Sequence, residues 1–176
     1  CEDASMTGDV NISVLGGEVS RRIYGGCYND FNGSWKTNYS VTGCIGVEIG
    51  GNANLSLNTD IDRGINAVSR YGSAIDGEYG ILIFNDGTYD TYKNKIGSSF
   101  FANVQKYNYL VNAAAGGNVS VQSGKLKVVP NEGYTATVAV ENGATLEADG
   151  DGMYTLPELE TTASRKTVTV TFAAAQ

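Results

Sequence analysis

T-G-D-V-N-I-S-V-L-G-G, residues 7 to 17, returns as T-G-C-I-G-V-E-I-G-G at residues 42 to 51. Thr7 aligns with Thr42, Gly8 with Gly43, Val10 with Ile45, Ile12 with Val47, Val14 with Ile49 and Gly16 with Gly51, at a constant offset of 35 residues. In both copies apolar residues occupy every second position, so a strand built from either places them on one face. Glycines close each copy. A strand phrase recurring at a fixed long period is the mark of stacked repeats, in which each repeat covers the exposed face of its neighbour. Val10, Ile12 and Val14 are therefore expected to lie over Ile45, Val47 and Ile49, in parallel register and around a shared dry interior.

The surrounding sequence fits that reading. V-N-I-S-V-L and R-R-I-Y are strand-like, and each is followed by Gly-Gly. S-R-R-I-Y-G-G and S-R-Y-G form a second recurring phrase. Residues 79 to 84, Y-G-I-L-I-F, are more continuously apolar, as expected of a strand buried on both faces. Asn85-Asp86-Gly87 is a turn signal. Residues 88 to 109 carry no clean period and are read as a cap, with a short helix near Ser98 to Gln105 or a closing strand.

From Tyr107 the texture changes. Tyr109, Val111 and Ala113 alternate, then Val119 and Val121, then Leu126 and Val128, with turn signals at Gly116-Gly117, Ser123-Gly124 and Pro130 to Gly133. Thr135 to Val140 is β-rich, Asn142-Gly143 is a hairpin signal, and Thr167 to Phe172 has period two. Short strands with frequent turns predict a small β-sandwich-like module.

Composition removes several function classes. The 176 residues carry a formal net charge of -7 and no His. Such a surface repels phosphate backbones, which argues against nucleic-acid binding. Without His there is no Ser-His-Asp triad and no His-ligated zinc. No apolar run is long enough to span a bilayer. The 23 glycines against 2 prolines fit tight turns between short strands rather than disorder. Three cysteines do not make a disulfide scaffold, and Cys27 and Cys44 are read as buried free thiols. Cys1 is a candidate lipid-modified residue, with an arbitrary chain boundary the preferred reading.

Phrases like those at residues 7 to 17, 21 to 26 and 42 to 51 resemble the glycine-punctuated repeats of large surface proteins from gut Firmicutes. In those proteins they build right-handed parallel β-helices. The tail, through Gly116-Gly117-Asn118-Val119, Pro130 to Tyr134, Asp151 to Pro157 and Thr167 to Phe172, resembles the divergent internalin B-type repeat of bacterial surface proteins. It departs in the middle, where T-A-T-V-A-V replaces the bulky residue and lysine-rich strand usual there. The resemblance implies a folded spacer or interaction module on the cell exterior and no active site.

The expected architecture is all-β: residues 1–106 as the last coils and cap of a short right-handed parallel β-helix, and residues 107–176 as a small β-sandwich-like module. The expected function is that of a non-catalytic extracellular spacer or adhesive region of a bacterial surface protein, with a glycan or a cell-surface protein as partner. No cofactor and no metal is expected.

Phe31, Trp35 and Tyr39 share one polar loop with Tyr28 nearby, and aromatics among Asn and Asp are what sugar faces stack on. Packing of these rings over the coil is the preferred explanation, but Tyr28, Trp35 and Tyr39 are the best ligand-binding candidates in the chain. They would suit a carbohydrate-binding region of a glycan-degrading enzyme. A β-helix lyase or hydrolase would instead gather Asp30, Asp60, Asp62, Arg63, Arg70, Asp76 or Glu78 on one face, with carboxylates close enough for glycoside chemistry. Asp149-Gly150-Asp151-Gly152 lacks the remaining ligands of a calcium loop and is read as a turn.

Overall fold

The computed structural model describes residues 4–6, 8–25, 39–41, 44–56, 64–66, 79–96, 107–159 and 165–176. In chain order the elements are β1 (Ala4–Met6), β2 (Val10–Val19), β3 (Arg22–Tyr24), β4 (Tyr39–Val41), β5 (Cys44–Leu55), β6 (Gly64–Asn66) and β7 (Tyr79–Phe84). A single helical turn α1 (Tyr89–Tyr92) runs into a 3-10 turn at Lys93–Lys95. Then come β8 (Tyr107–Ala113), β9 (Gly117–Gln122), β10 (Lys125–Pro130), β11 (Tyr134–Val140), β12 (Thr145–Leu146), β13 (Met153–Tyr154) and β14 (Arg165–Ala174). The fold is all-β, built on open sheets of which the largest is mixed.

The two copies of the phrase pair as expected. β2 and β5 run parallel, with Val10 opposite Ile45, Ile12 opposite Val47 and Val14 opposite Ile49. Ile45, Val47 and Ile49 are fully buried, and Val10, Ile12 and Val14 pack against them. The glycines behave differently. The register slips between Val14 and Gly16, so Gly16 faces Asn52 rather than Gly51. The cause lies in the next turn, where the Gly51 N–H donates to Asp86 Oδ2 at 3.0 Å. A Cβ on Gly51 would stand 2.8 Å from Asp86 Cβ, so only glycine admits that close approach. One extra residue of β5 is taken up there as a bulge, which bends the strand locally.

Parallel pairing extends well beyond this pair. β1 lies beside β4 with Ala4 opposite Tyr39, and β3 beside β6 with Ile23 opposite Ile65. β7 joins the other side of β5 with Cys44 opposite Tyr79, and β8 joins β7 with Tyr79 opposite Tyr107. β14 then pairs parallel to β8 and antiparallel to β11, which carries β12. The result is one seven-stranded sheet in the order β12-β11-β14-β8-β7-β5-β2. β8 belongs to the same parallel ladder as β7, so strands from either side of the expected boundary share this sheet.

Both faces of this sheet are covered in its middle. One face of β2, β5, β7 and β8 packs with Ile23, Leu55, Ile65 and the rings of Tyr89 and Tyr92. The other face, through Ile81, Ile83, Tyr109, Val111, Val138, Val168 and Val170, meets a three-stranded antiparallel sheet, β13-β10-β9, that supplies Val119, Leu126 and Val128. A strand covered on both sides has no solvent face to mark with polar residues, which is why β7 reads as an unbroken apolar run. Each fully buried Ile or Leu contributes roughly 1.5–3 kcal/mol relative to exposure. The turn after β7 forms at Asn85 to Thr88, where the positive φ of Asp86 (55°) and Gly87 (71°) fits residues that tolerate the left-handed region. The helix or strand expected near Ser98 to Gln105 lies outside the described residues.

Candidate functional site

Of the ligand-binding candidates, Tyr28 and Trp35 lie outside the described residues. Tyr39 opens β4, where its backbone faces Ala4. Asp30, Asp60, Asp62, Arg63, Arg70, Asp76, Glu78, Cys1 and Cys27 also lie outside the described residues.

The polar side chains that the structure does bring together form a bridge between the two layers. Glu48 alternates with Val47 and Ile49 along β5 and so turns toward the second sheet. Stacking at the 35-residue step places Ser13 beside it, and Ser13 Oγ donates to Glu48 Oε2 at 2.9 Å. Asn85, at the end of β7, donates from Nδ2 to Glu48 Oε1 at 3.0 Å. The same amide meets β9 as a strand edge would. Nδ2 donates to the Val119 carbonyl at 2.9 Å, and Oδ1 accepts the Val119 N–H at 2.9 Å. Asn85 is fully buried and Glu48 is 7 % exposed. The Asn85 carbonyl also accepts Thr88 Oγ1 at 2.7 Å.

Chemically, this arrangement is a clamp. Both Glu48 oxygens are engaged by neutral donors, and the carboxylate side chain is largely buried. Gly46 serves the same junction, because a Cβ there would stand 2.7 Å from Asn11 Oδ1 and 3.1 Å from Val121 Cβ. Sequence reading missed this cluster because Asn85-Asp86-Gly87 was explained fully by its turn. The available signal was a polar residue, Ser13 or Glu48, at the same place in both copies of a phrase otherwise made of Val and Ile.

Cys44 is a buried free thiol, in agreement with expectation. Its N–H donates to Asp9 Oδ1 at 2.9 Å. Burial, with the Asp9 carboxylate adding to it, pushes the thiol up to about 12. The thiolate is the reactive form, so Cys44 should resist a thiol reagent such as dithionitrobenzoate at pH 8 while folded. It should react stoichiometrically once urea unfolds the chain, as peptide mapping would show. Labelling of Cys44 in the folded protein would contradict this burial. Because the folded value lies above the ordinary 9.0, this group's stabilisation is complete below pH 9 and is lost as pH rises toward 12. The slope is about 1.4 kcal/mol per pH unit for one such group.

The Asp149 loop is a turn. Asp149 Oδ1 accepts the N–H groups of Asp151 and Met153 at 3.1 and 2.9 Å, and Oδ2 accepts Lys125 Nζ at 3.0 Å. The Lys125 hydrogen bond, with the backbone donors, holds this carboxyl below its usual range. Among the described residues no group of three or more His, Cys, Asp or Glu gathers as a metal site. Among them too, no helix is long and apolar enough to cross a membrane.

The solvent face of β11 and β14 is of another kind. Val138, Val140, Val168 and Val170 turn inward, leaving Thr135, Thr137, Thr169 and Thr171 exposed, with Thr137 directly opposite Thr171. These threonines present a row of neutral hydroxyls to solvent. Comparison of the chain with family models, with curated proteins and with solved structures returned no match.

Proposed function

We propose that this chain is a non-catalytic extracellular module of a bacterial surface protein. In this reading it is a structural or adhesive spacer: a short right-handed parallel β-helix over residues 1–106, closed by a β-sandwich-like module over residues 107–176. The observation that carries the reading is the order of parallel pairing. β1, β2 and β3 follow one another in the chain, and they pair in the same order with β4, β5 and β6. Each triplet then corresponds to one turn of a coil, and the step from Cys44 to Tyr79 begins a third turn at the same 35-residue spacing. Stacked coils make a stiff rod, because every bending mode must open a backbone ladder. The second layer and its bridge through Asn85 brace one side of that rod, and the threonine face offers neutral hydroxyls to a glycan or a cell-surface protein.

The test is a glycan array probed with the wild type and Trp35→Ala, together with reducing-end release from neutral and acidic polysaccharides. No turnover is expected, and no binding that depends on Trp35. Release of sugars would overturn the non-catalytic reading. Glycan binding lost in Trp35→Ala would replace the spacer with a carbohydrate-binding region.

A further inference from the structure

We propose that this fold is a tension-bearing link, with β14 as the strand through which load leaves it. β2, β5, β7, β8 and β14 all run parallel in the large sheet. Their registers also line up. Val10 faces Ile45, Ile45 faces Gly80, Gly80 faces Asn108, and Asn108 faces Arg165. The first residues of β2 and β14 therefore lie at the same level of the sheet. A pull that enters ahead of Val10 and leaves beyond Ala174 spans about 30 Å along the strands and about 19 Å across them. Most of that force is directed along the strands. Force in this direction shears each ladder, so its evenly spaced hydrogen bonds are loaded together. Force across the strands would open the same bonds one at a time.

The geometry does not depend on which coil takes the load. If β2 is drawn off, β5 meets the pull in the same orientation, and β7 and β8 follow it. β14 is common to every case. It is held on both sides, against β8 from Arg165 to Val170 and against β11 from Val168 to Ala174. Further bonds fasten its two ends. The Thr167 carbonyl accepts the Glu141 N–H at 2.8 Å, and the Thr167 N–H donates to Glu141 Oε2 at 3.0 Å. The Ala175 N–H donates to the Gly133 carbonyl at 2.7 Å. Side chains resist sliding as well. Val168 faces Val111 and Val170 faces Val138, all four fully buried. A one-residue slip would set threonines where these valines sit. A spacer need only hold two things apart. Resistance to a pull goes beyond that reading and follows from the ladders alone.

The test is optical-tweezers unfolding at one pulling speed with the handles in three arrangements. In the first they sit at the two ends of the chain. In the second, a handle at the C-terminal end is paired with one at Ala144→Cys, beyond the far end of β11, so that β11 and β14 are sheared. In the third it is paired with Glu132→Cys, beside the C-terminal end of β14, so that the same strands are peeled from Tyr134 and Ala174 onward. Glu132 and Ala144 are exposed and lie outside the strands. Both variants carry Cys1→Ser and Cys27→Ser and retain the buried Cys44. Thermal unfolding should show the same midpoint in all three, so a difference in force reports direction alone. Both sheared arrangements should break at forces at least about twofold above the peeled one, since forced unfolding reads the barrier along the pull rather than the equilibrium stability. An end-to-end force no higher than the peeled one overturns the proposal. So does an Ala144→Cys arrangement that breaks as easily as Glu132→Cys.

Discussion

Asn85→Ala is expected to remove about 3–5 kcal/mol of stability, a large share of the roughly 5–15 kcal/mol that holds a typical domain together. The substitution deletes few atoms, but it strands three buried groups at once: Glu48 Oε1, the Val119 N–H and the Val119 carbonyl. Each buried group left without a partner costs about 1–3 kcal/mol, more when it is charged. Urea unfolding followed by circular dichroism reads the loss directly. A change below about 1 kcal/mol would mean that water reaches these groups and that the bridge does not tie the layers together. Asn85→Asp keeps the shape but loses both donations from Nδ2 and sets a second carboxylate against Glu48. It should be at least as damaging at pH 7 and should recover part of its stability in mild acid, where a shared proton restores a donor. For Asn85→Ala no such recovery is expected.

Gly117→Ala should cost about 2–4 kcal/mol through overpacking. A Cβ on Gly117 would stand 2.3 Å from Phe172 Cε1, 2.6 Å from Cζ and 2.7 Å from the Val129 carbonyl oxygen. The ring could swing aside, but the carbonyl is backbone of β10, held across the ladder in which Gly117 faces Pro130. Relief therefore requires β9 and β10 to separate. Gly150→Ala is the matched control, since a Cβ there meets nothing within 4 Å. It should leave the unfolding midpoint within error. Adding Phe172→Ala to Gly117→Ala should restore little, because the Val129 oxygen stays where it is. Full rescue would show that the ring alone set the limit.

The register of β2 on β5 was legible because period-two alternation and a fixed offset are both carried by side chains, which a sequence displays. The bulge at Gly50-Gly51 was not, because it depends on a backbone N–H that leaves the ladder for Asp86, which lies in a turn with no copy of the phrase. The same blindness hid Asn85: its backbone makes a turn and its side chain makes a strand edge, and composition reports only the turn. β8 was grouped with the tail by texture. Its step from β7, Tyr79 to Tyr107, is shorter than that from Cys44 to Tyr79, so the spacing that revealed the first pair concealed this one. The insertion of β14 between β8 and β11 is a non-local choice that local patterns do not encode. Tyr28 and Trp35 stand as sequence candidates alone.

That insertion has a consequence for how the molecule is made. β14 is synthesised after both of its partners, β8 and β11, yet it lies between them. Until residues 165 to 176 emerge, those two strands have bare edges and the nascent chain cannot finish its largest sheet. Completion of this sheet is therefore set by a slow long-range closure, in which β14 reaches back past β11 to β8. A chain in which β14 has not docked exposes the edges of β8 and β11, the kind of strand edge most prone to self-association, so docking of β14 is a safeguard against aggregation as well as a source of stability.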